Sequence, residues 1–445
     1  GWQDRQKRLN ELVSLAGRYG IKVYLYLNEP RSMPLAFFDK YPELKGHTRD
    51  MYAALCLSDK RVLENLRKSV RSLCEAVPNL GGFFTITMSE NLTHCKSLSE
   101  NNCKKCDDIP VHKQISDIIC AISEESRIVN PSIKTIAWTW SWESMSENEL
   151  KKCISSLPKE VIIQSNSERK QKFCIGGIEG VVSDYSMSIP GPSDAAREVW
   201  DIAKEYGHEI CAKVQINNTW ECSTVPYLPV FDLIREHMLG LSKEGVRHIM
   251  LSWTLGGYPS INLKIASVAL MDNSEEAYNR ILNEEFGEYS SAVKRAAQIF
   301  SDAFREFPFH LRTLYNGPQN AGPSNLLFEK ETGLTSTMTC FAYDDLDSWR
   351  SIYPEDVFVN QLKKLSDKWK EGLDIIEDMP DCEFKQTALG GFLLFNSSYN
   401  QAMYIIARRN NDKQKMLHAL KNEKRNALKM LDIMRKKDLI LLIKN

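Results

Sequence analysis

Apolar residues along the first 270 positions recur with two alternating periods. Leu9, Leu12, Val13 and Leu15 fall at helical spacing before Gly20, and Lys22 to Leu27 then reads as a short strand. The same unit repeats. A helix over about 58–76 leads through Pro78 to a strand at 82–87, and a helix at 112–128 leads through Pro131 to one at 135–140. Helices at 147–156, 193–206 and 230–244 precede strands at 161–164, 210–216 and 248–253, with a further short run at 181–183. Strands alternating with helices imply a parallel sheet covered by helices. Beyond about 272 the pattern becomes helical, over 275–306, 355–378, 384–408 and 411–436, with a turn-rich stretch from Tyr315 to about 354.

This order predicts an α/β chain of two domains. Residues 1–272 form a (β/α)8 TIM-type barrel, and residues 273–445 form a mainly α-helical C-terminal domain. Only six or seven strands can be counted. The chain also opens inside a helix, at Gly1-Trp2 instead of Met, so the expectation is that the first one or two strands lie upstream. The barrel would then be open between the Tyr24 strand and the Trp253 strand. A doubly wound nucleotide-binding sheet is the structural rival, but no G-x-G-x-x-G or Walker loop is present.

The 445 residues carry 57 Lys+Arg against 58 Asp+Glu, so no global field recruits nucleic acid or an anionic membrane. No segment approaches the roughly 20 apolar residues of a membrane span. Twelve Cys without small-domain spacing fit reduced thiols and a cytoplasmic location.

Chemistry in a barrel gathers at the C-terminal strand ends. Thr87-Met-Ser-Glu90-Asn91 places a carboxylate one step past a buried strand, where desolvation can raise its pKa towards that of a general acid. A capping or salt-bridged Glu is the plainer alternative. Asn217-Asn-Thr-Trp220-Glu221 combines amides for hydroxyls, an indole for a sugar face and a second carboxylate, a nucleophile or a loop anchor. Asn28-Glu29-Pro-Arg31, Trp138 with Trp140, Asp184-Tyr185 and Trp253 end other strands, as pocket wall or as core. Asp184 matters because some hexosaminidases let the substrate's acetamide attack, held by an Asp or Tyr.

Cys95, Cys103 and Cys106 form C-x7-C-x2-C, with His94 and His112 nearby. Three soft ligands suggest a structural Zn clip that needs a fourth, level with free thiols or one disulfide. No catalytic cofactor is expected, since no hard-ligand cluster appears, and no G-x-S-x-G elbow offers a serine nucleophile.

The strings Tyr24–Arg31, Phe84–Asn91, Lys213–Glu221, Leu251–Tyr258 and Phe341–Arg350 resemble bacterial glycoside-hydrolase-like (β/α)8-barrel proteins. That set is distantly similar to family 20 β-N-acetylhexosaminidases. The resemblance implies an exo-acting glycosidase on a β-linked, N-acetylated sugar, with Glu90 as general acid/base. Glu221 would be the nucleophile, facing Glu90 at about 5–5.5 Å, or would bind the sugar if the acetamide attacks. Asn28, Glu29, Arg31, Asn91, Trp138, Trp140, Tyr185, Asn217, Trp220 and Trp253 would line the substrate pocket. Family 20 carries an Asp before the acid Glu, whereas Ser89 stands here, so the acetamide-polarising role finds no match at that position. The rivals are a non-catalytic carbohydrate-binding barrel and a metal-dependent lyase or isomerase.

Overall fold

The computed structural model describes residues 1–88, 91–98, 102–338 and 341–435. The chain is mixed α/β and divides into two compact units. Residues 1–166 with 198–212 form the first, and 167–197 with 213–445 the second.

The first unit holds five parallel strands: β1 (Tyr24–Leu27), β2 (Gly82–Ile86), β3 (Lys134–Trp138), β4 (Val161–Asn166) and β5 (Ile210–Lys213), whose last residue belongs to the second unit. They are hydrogen-bonded in the order β1-β2-β3-β4-β5. Tyr24 lies opposite Gly82 and Gly82 opposite Lys134, so the C-terminal ends share one rim. The Ile163 N–H donates to the Glu209 carbonyl at 3.0 Å, continuing the ladder. All six residues of β4 are buried, as a strand covered on both faces must be. The edge strand β1 leaves Tyr24 and Tyr26 exposed.

Helices back these strands close to the expected boundaries. Lys60–Ala76 buries Val62, Leu66, Val70 and Cys74, a strict i, i+4 stripe, and Asp59 caps it by accepting from the Arg61 N–H at 3.0 Å. That stripe packs with Phe83, Ile118, Ile122 and Ile133 in one apolar core. The repeat alone did not foretell a small antiparallel sheet of Met33–Pro34, Lys45–Arg49 and Tyr52–Leu55.

In the second unit, β6 (His248–Met250) runs beside the chain that leaves β5. Met250 and Leu251 carbonyls accept from the Val214 and Ile216 N–H groups. The apolar run at 181–183 is no barrel strand. Lys172–Ile175 and Ile178–Val181 form an antiparallel hairpin, turned by Gly176 and Gly177 at φ 61° and 79°, which L side chains rarely adopt. The long helices lie close to their expected positions, except that 275–306 breaks at Gly287 (φ 53°) into Glu275–Phe286 and Ser290–Phe304; Ile261–Met271, Leu311–Asn316 and Leu346–Arg350 are added helices. Trp369 centres this helical core, stacked on Phe300 at 4.6 Å, against Phe395 at 5.0 Å, and donating to the Ala388 carbonyl at 2.8 Å. No helix among the described residues is long and apolar enough to cross a membrane.

Candidate active site

Residues at the strand ends of the first unit are mostly committed to the protein itself. Asn28 is 2% exposed and its amide donates to the Ile86 carbonyl at 3.1 Å, so it ties β1 to β2. Its side-chain oxygen has no hydrogen-bond partner among the described residues. The Glu29 carboxylate accepts from the Arg31 N–H at 2.7 Å, while Arg31 itself is exposed. Asn91 is half-buried. Trp138 is fully buried, with its indole N–H on Asn166 at 2.8 Å; Trp140 stacks on it at 5.0 Å and is the half-buried ring of the pair. Trp142 is core as well, bonded to Thr87 at 3.0 Å. Ser89 and Glu90 lie outside the described residues.

The second unit contains two buried acidic arrangements of opposite character. Glu221 has no solvent exposure. Its two oxygens accept from the Ser186 hydroxyl at 2.8 Å, the Met187 N–H at 2.7 Å, the Ser188 N–H at 3.2 Å, the Thr219 hydroxyl at 2.6 Å and the Ser188 hydroxyl. Five donors on one carboxylate fasten the 186–188 segment to the 219–221 turn. The neighbouring Asn217 is equally engaged: it donates to the Gly256 and Tyr258 carbonyls, both at 2.6 Å, and accepts from Ser260 at 2.6 Å. Both are anchors of loops, Glu221 with every lone pair taken and Asn217 with both N–H donors spent.

The other arrangement begins two residues beyond β4. Glu168 is fully buried, and among the described residues neither carboxylate oxygen has a hydrogen-bond partner. Burial pushes its carboxyl well above the ordinary range, against the pull of the Lys213 cation. Lys213, the last residue of β5, is fully buried too; its ammonium makes no hydrogen bond among the described residues and lies 3.0 Å over the centre of the Tyr185 ring. Burial drops its pKa to about 7, opposed by Asp184 and Glu168. The half-buried Asp184 is pushed up to about 6 by burial, with Lys213 and Arg169 pulling the other way. Arg169, 9% exposed, falls to about 10 by burial. His237 sits 3.4 Å from Glu168 and 2.7 Å from the Ser167 hydroxyl, its pKa lowered to about 3 by burial and by Lys213.

Aromatic rings complete this cluster. Trp220 donates to the Tyr185 hydroxyl and meets Tyr315 edge-on at 5.7 Å, and Trp220 and Tyr315 are both half-buried. Trp253 is half-buried, its backbone N–H on the Gln215 side chain at 2.7 Å. Of the residues expected from the sequence, Asp184, Tyr185 and Trp220 therefore come together. Glu168, Arg169, Lys213 and His237 were missed. A lysine inside the apolar run Ile210-Cys-Ala-Lys213-Val was a visible signal for one of them.

The three cysteines of the first unit converge as expected, and a fourth, Cys56, joins them; all four sulfurs lie within 4.8 Å of one another. His94 and His112 are not part of this sulfur cluster.

No family model matches the sequence, and no curated protein is similar to it. Solved structures are. CpGH89 from Clostridium perfringens, a double Glu-to-Gln variant in complex with its substrate GlcNAc-α-1,4-galactose, superposes at a TM-score of 0.50 with 12% identity, over 94% of this chain and 41% of that one. The family 89 glycoside hydrolase from Clostridium perfringens in complex with PUGNAc gives 0.42 at 12%, with the same coverages. CpGH84B gives 0.29 at 10%, over 97% of this chain and 71% of that one. The chain thus spans less than half the length of the family 89 enzyme and shares its fold. The likeness to family 20 is not shown; a glycoside-hydrolase-like fold is.

Proposed function

We propose that this chain carries the catalytic fold of an exo-acting glycosidase that cleaves an N-acetylated sugar, residues 1–272 being barrel and 273–445 helical support. The observation that carries the reading is the Asp184–Lys213–Glu168 cluster beside Tyr185 and Trp220. Carboxyl and ammonium groups shifted towards neutrality, close to aromatic rings, are what acid–base chemistry on a sugar requires. The neighbour's N-acetylglucosamine substrate supports the acetamido group.

Glu90 would protonate the leaving oxygen. Asp184, ionised above about pH 6, would orient or polarise the acetamide for internal attack, the part that Ser89 cannot play. Lys213 would hold Asp184 within working range, and Trp220 would offer its ring to the sugar. Glu221 fits the nucleophile role less well, because five donors already occupy it. The reaction draws on no cofactor, and a metal in the cysteine cluster would be structural.

The second reading, a carbohydrate-binding barrel without chemistry, is favoured by the saturation of Glu221. Paired α- and β-aryl N-acetylhexosaminides, assayed with the chain and its Glu90→Gln variant, separate the two. Turnover of one anomer that falls about 10²–10⁴-fold in the variant supports hydrolysis. Binding without turnover of either anomer sinks it.

A further inference from the structure

We propose that Cys56, Cys95, Cys103 and Cys106 together bind a single Zn²⁺ that clips the loop following Glu90 onto the antiparallel hairpin of residues 45–55. The sequence offered three ligands on one loop. The fold supplies the fourth from 39 positions upstream, directly after the strand Tyr52–Leu55.

The sulfur spacing suits one tetrahedral ion. Zn–S bonds of about 2.3 Å put tetrahedral sulfurs about 3.8 Å apart. Here Cys56 lies 3.7 Å from Cys103 and 3.2 Å from Cys106, and all four sulfurs fall within 4.8 Å. These separations are too long for a disulfide, which needs about 2.05 Å. An iron–sulfur cluster would sit between its cysteines and spread them further. Four soft thiolates select zinc over a hard cation.

The surroundings are built for the purpose. All four side chains are 0–6% exposed, packed with Ala54 and Leu92. Cys103 and Cys106 flank a tight turn closed by the Cys106 N–H on the Cys103 carbonyl at 3.1 Å, so both sulfurs project to one side. The His47 N–H donates to the Cys95 sulfur, and the Ser58 hydroxyl lies 2.9 Å from that of Cys56, as outer contacts that orient metal ligands do. Gly46 leaves room for this: a Cβ there would stand 2.5 Å from the Cys95 sulfur. Lys105 reaches the Glu43 carbonyl at 2.7 Å, and Asn102 bonds Thr48 in both directions at 3.0 and 3.2 Å, stitching loop to hairpin around the cluster.

The test is elemental analysis of the full chain, purified without added metal or chelator, with its thiols titrated by a mercurial reagent while released zinc is followed. About one zinc per chain, released as four thiolates exchange zinc for mercury, is expected. Co²⁺ exchanged into the site should show the visible bands of tetrahedral thiolate coordination. Cys56→Ser should weaken retention at least about tenfold, whereas Ser at the exposed Cys174 should leave it unchanged. Metal-free protein with four reactive thiols, a mass lower by two hydrogens from a disulfide within the set, or iron in place of zinc would each overturn the proposal. The readout is metal content, so it stands or falls apart from any hydrolase activity.

Discussion

Glu221 and Glu168 are both acids sealed in the second unit, and they could hardly be treated more differently. Five donors converge on Glu221, and among the described residues none hydrogen-bonds the Glu168 carboxylate. A buried polar group that is fully satisfied rigidifies its surroundings. One left without donors, next to an equally unbonded lysine, costs stability and is retained where the shifted charge is used. Under the proposed function, the contrast separates an acid that builds the loops from acids that would do chemistry.

The sharpest way to break this contrast is to remove one acid of each kind. Asp184→Asn should lower kcat/KM on the cleaved N-acetylhexosaminide about 10²–10⁴-fold, with a melting temperature unchanged or higher, since a desolvated carboxyl is lost. Glu221→Ala should act in reverse. It orphans five buried donors and should cost about 3–5 kcal/mol of stability, with azide restoring no turnover. A folded, inactive, azide-rescued Glu221→Ala enzyme would make Glu221 the nucleophile and erase the distinction.

A smaller effect follows from the charges around Asp184. Its carboxyl, raised to about 6, must ionise to serve the acetamide, so kcat/KM should climb as pH rises through about 6 and fall below it. The Lys213 cation holds that value down, so Lys213→Met should move the limb to higher pH. An unmoved limb means that another group is being read. Glu168 supplies the stability counterpart. Its folded pKa lies above the unfolded one, so it stabilises least above its ordinary pKa, and urea unfolding at pH 7 should find Glu168→Gln more stable than the parent.

The smallest effects concern the aromatics. Trp220→Ala should raise KM by up to about tenfold, the loss of one stacking face worth about 0.5–1.5 kcal/mol, and should leave the fold alone. Trp138→Phe should instead lose about 1 kcal/mol of stability with its bond to Asn166, at unchanged KM. Should Trp138→Phe shift KM instead, that indole faces substrate and its burial has been misjudged.

The periodicity of apolar positions alone determined the alternation of helices and strands, six strand positions and the long C-terminal helices, because burying one face of an element is a local matter of spacing. Asp184-Tyr185, Trp220 and the Cys95, Cys103, Cys106 trio were legible too, since each is a cluster of unusual residues within a few positions. Tertiary structure decided the rest. Whether Glu221 or Glu168 is satisfied depends on donors up to 35 positions away, and that Trp138 is core while Trp140 is half-buried depends on Asn166 of a neighbouring strand. Cys56 becomes a ligand only when a hairpin folds beside the loop. Hydrogen-bond satisfaction and metal coordination are properties of groups brought together from distant parts of the chain, and spacing along one sequence does not carry them.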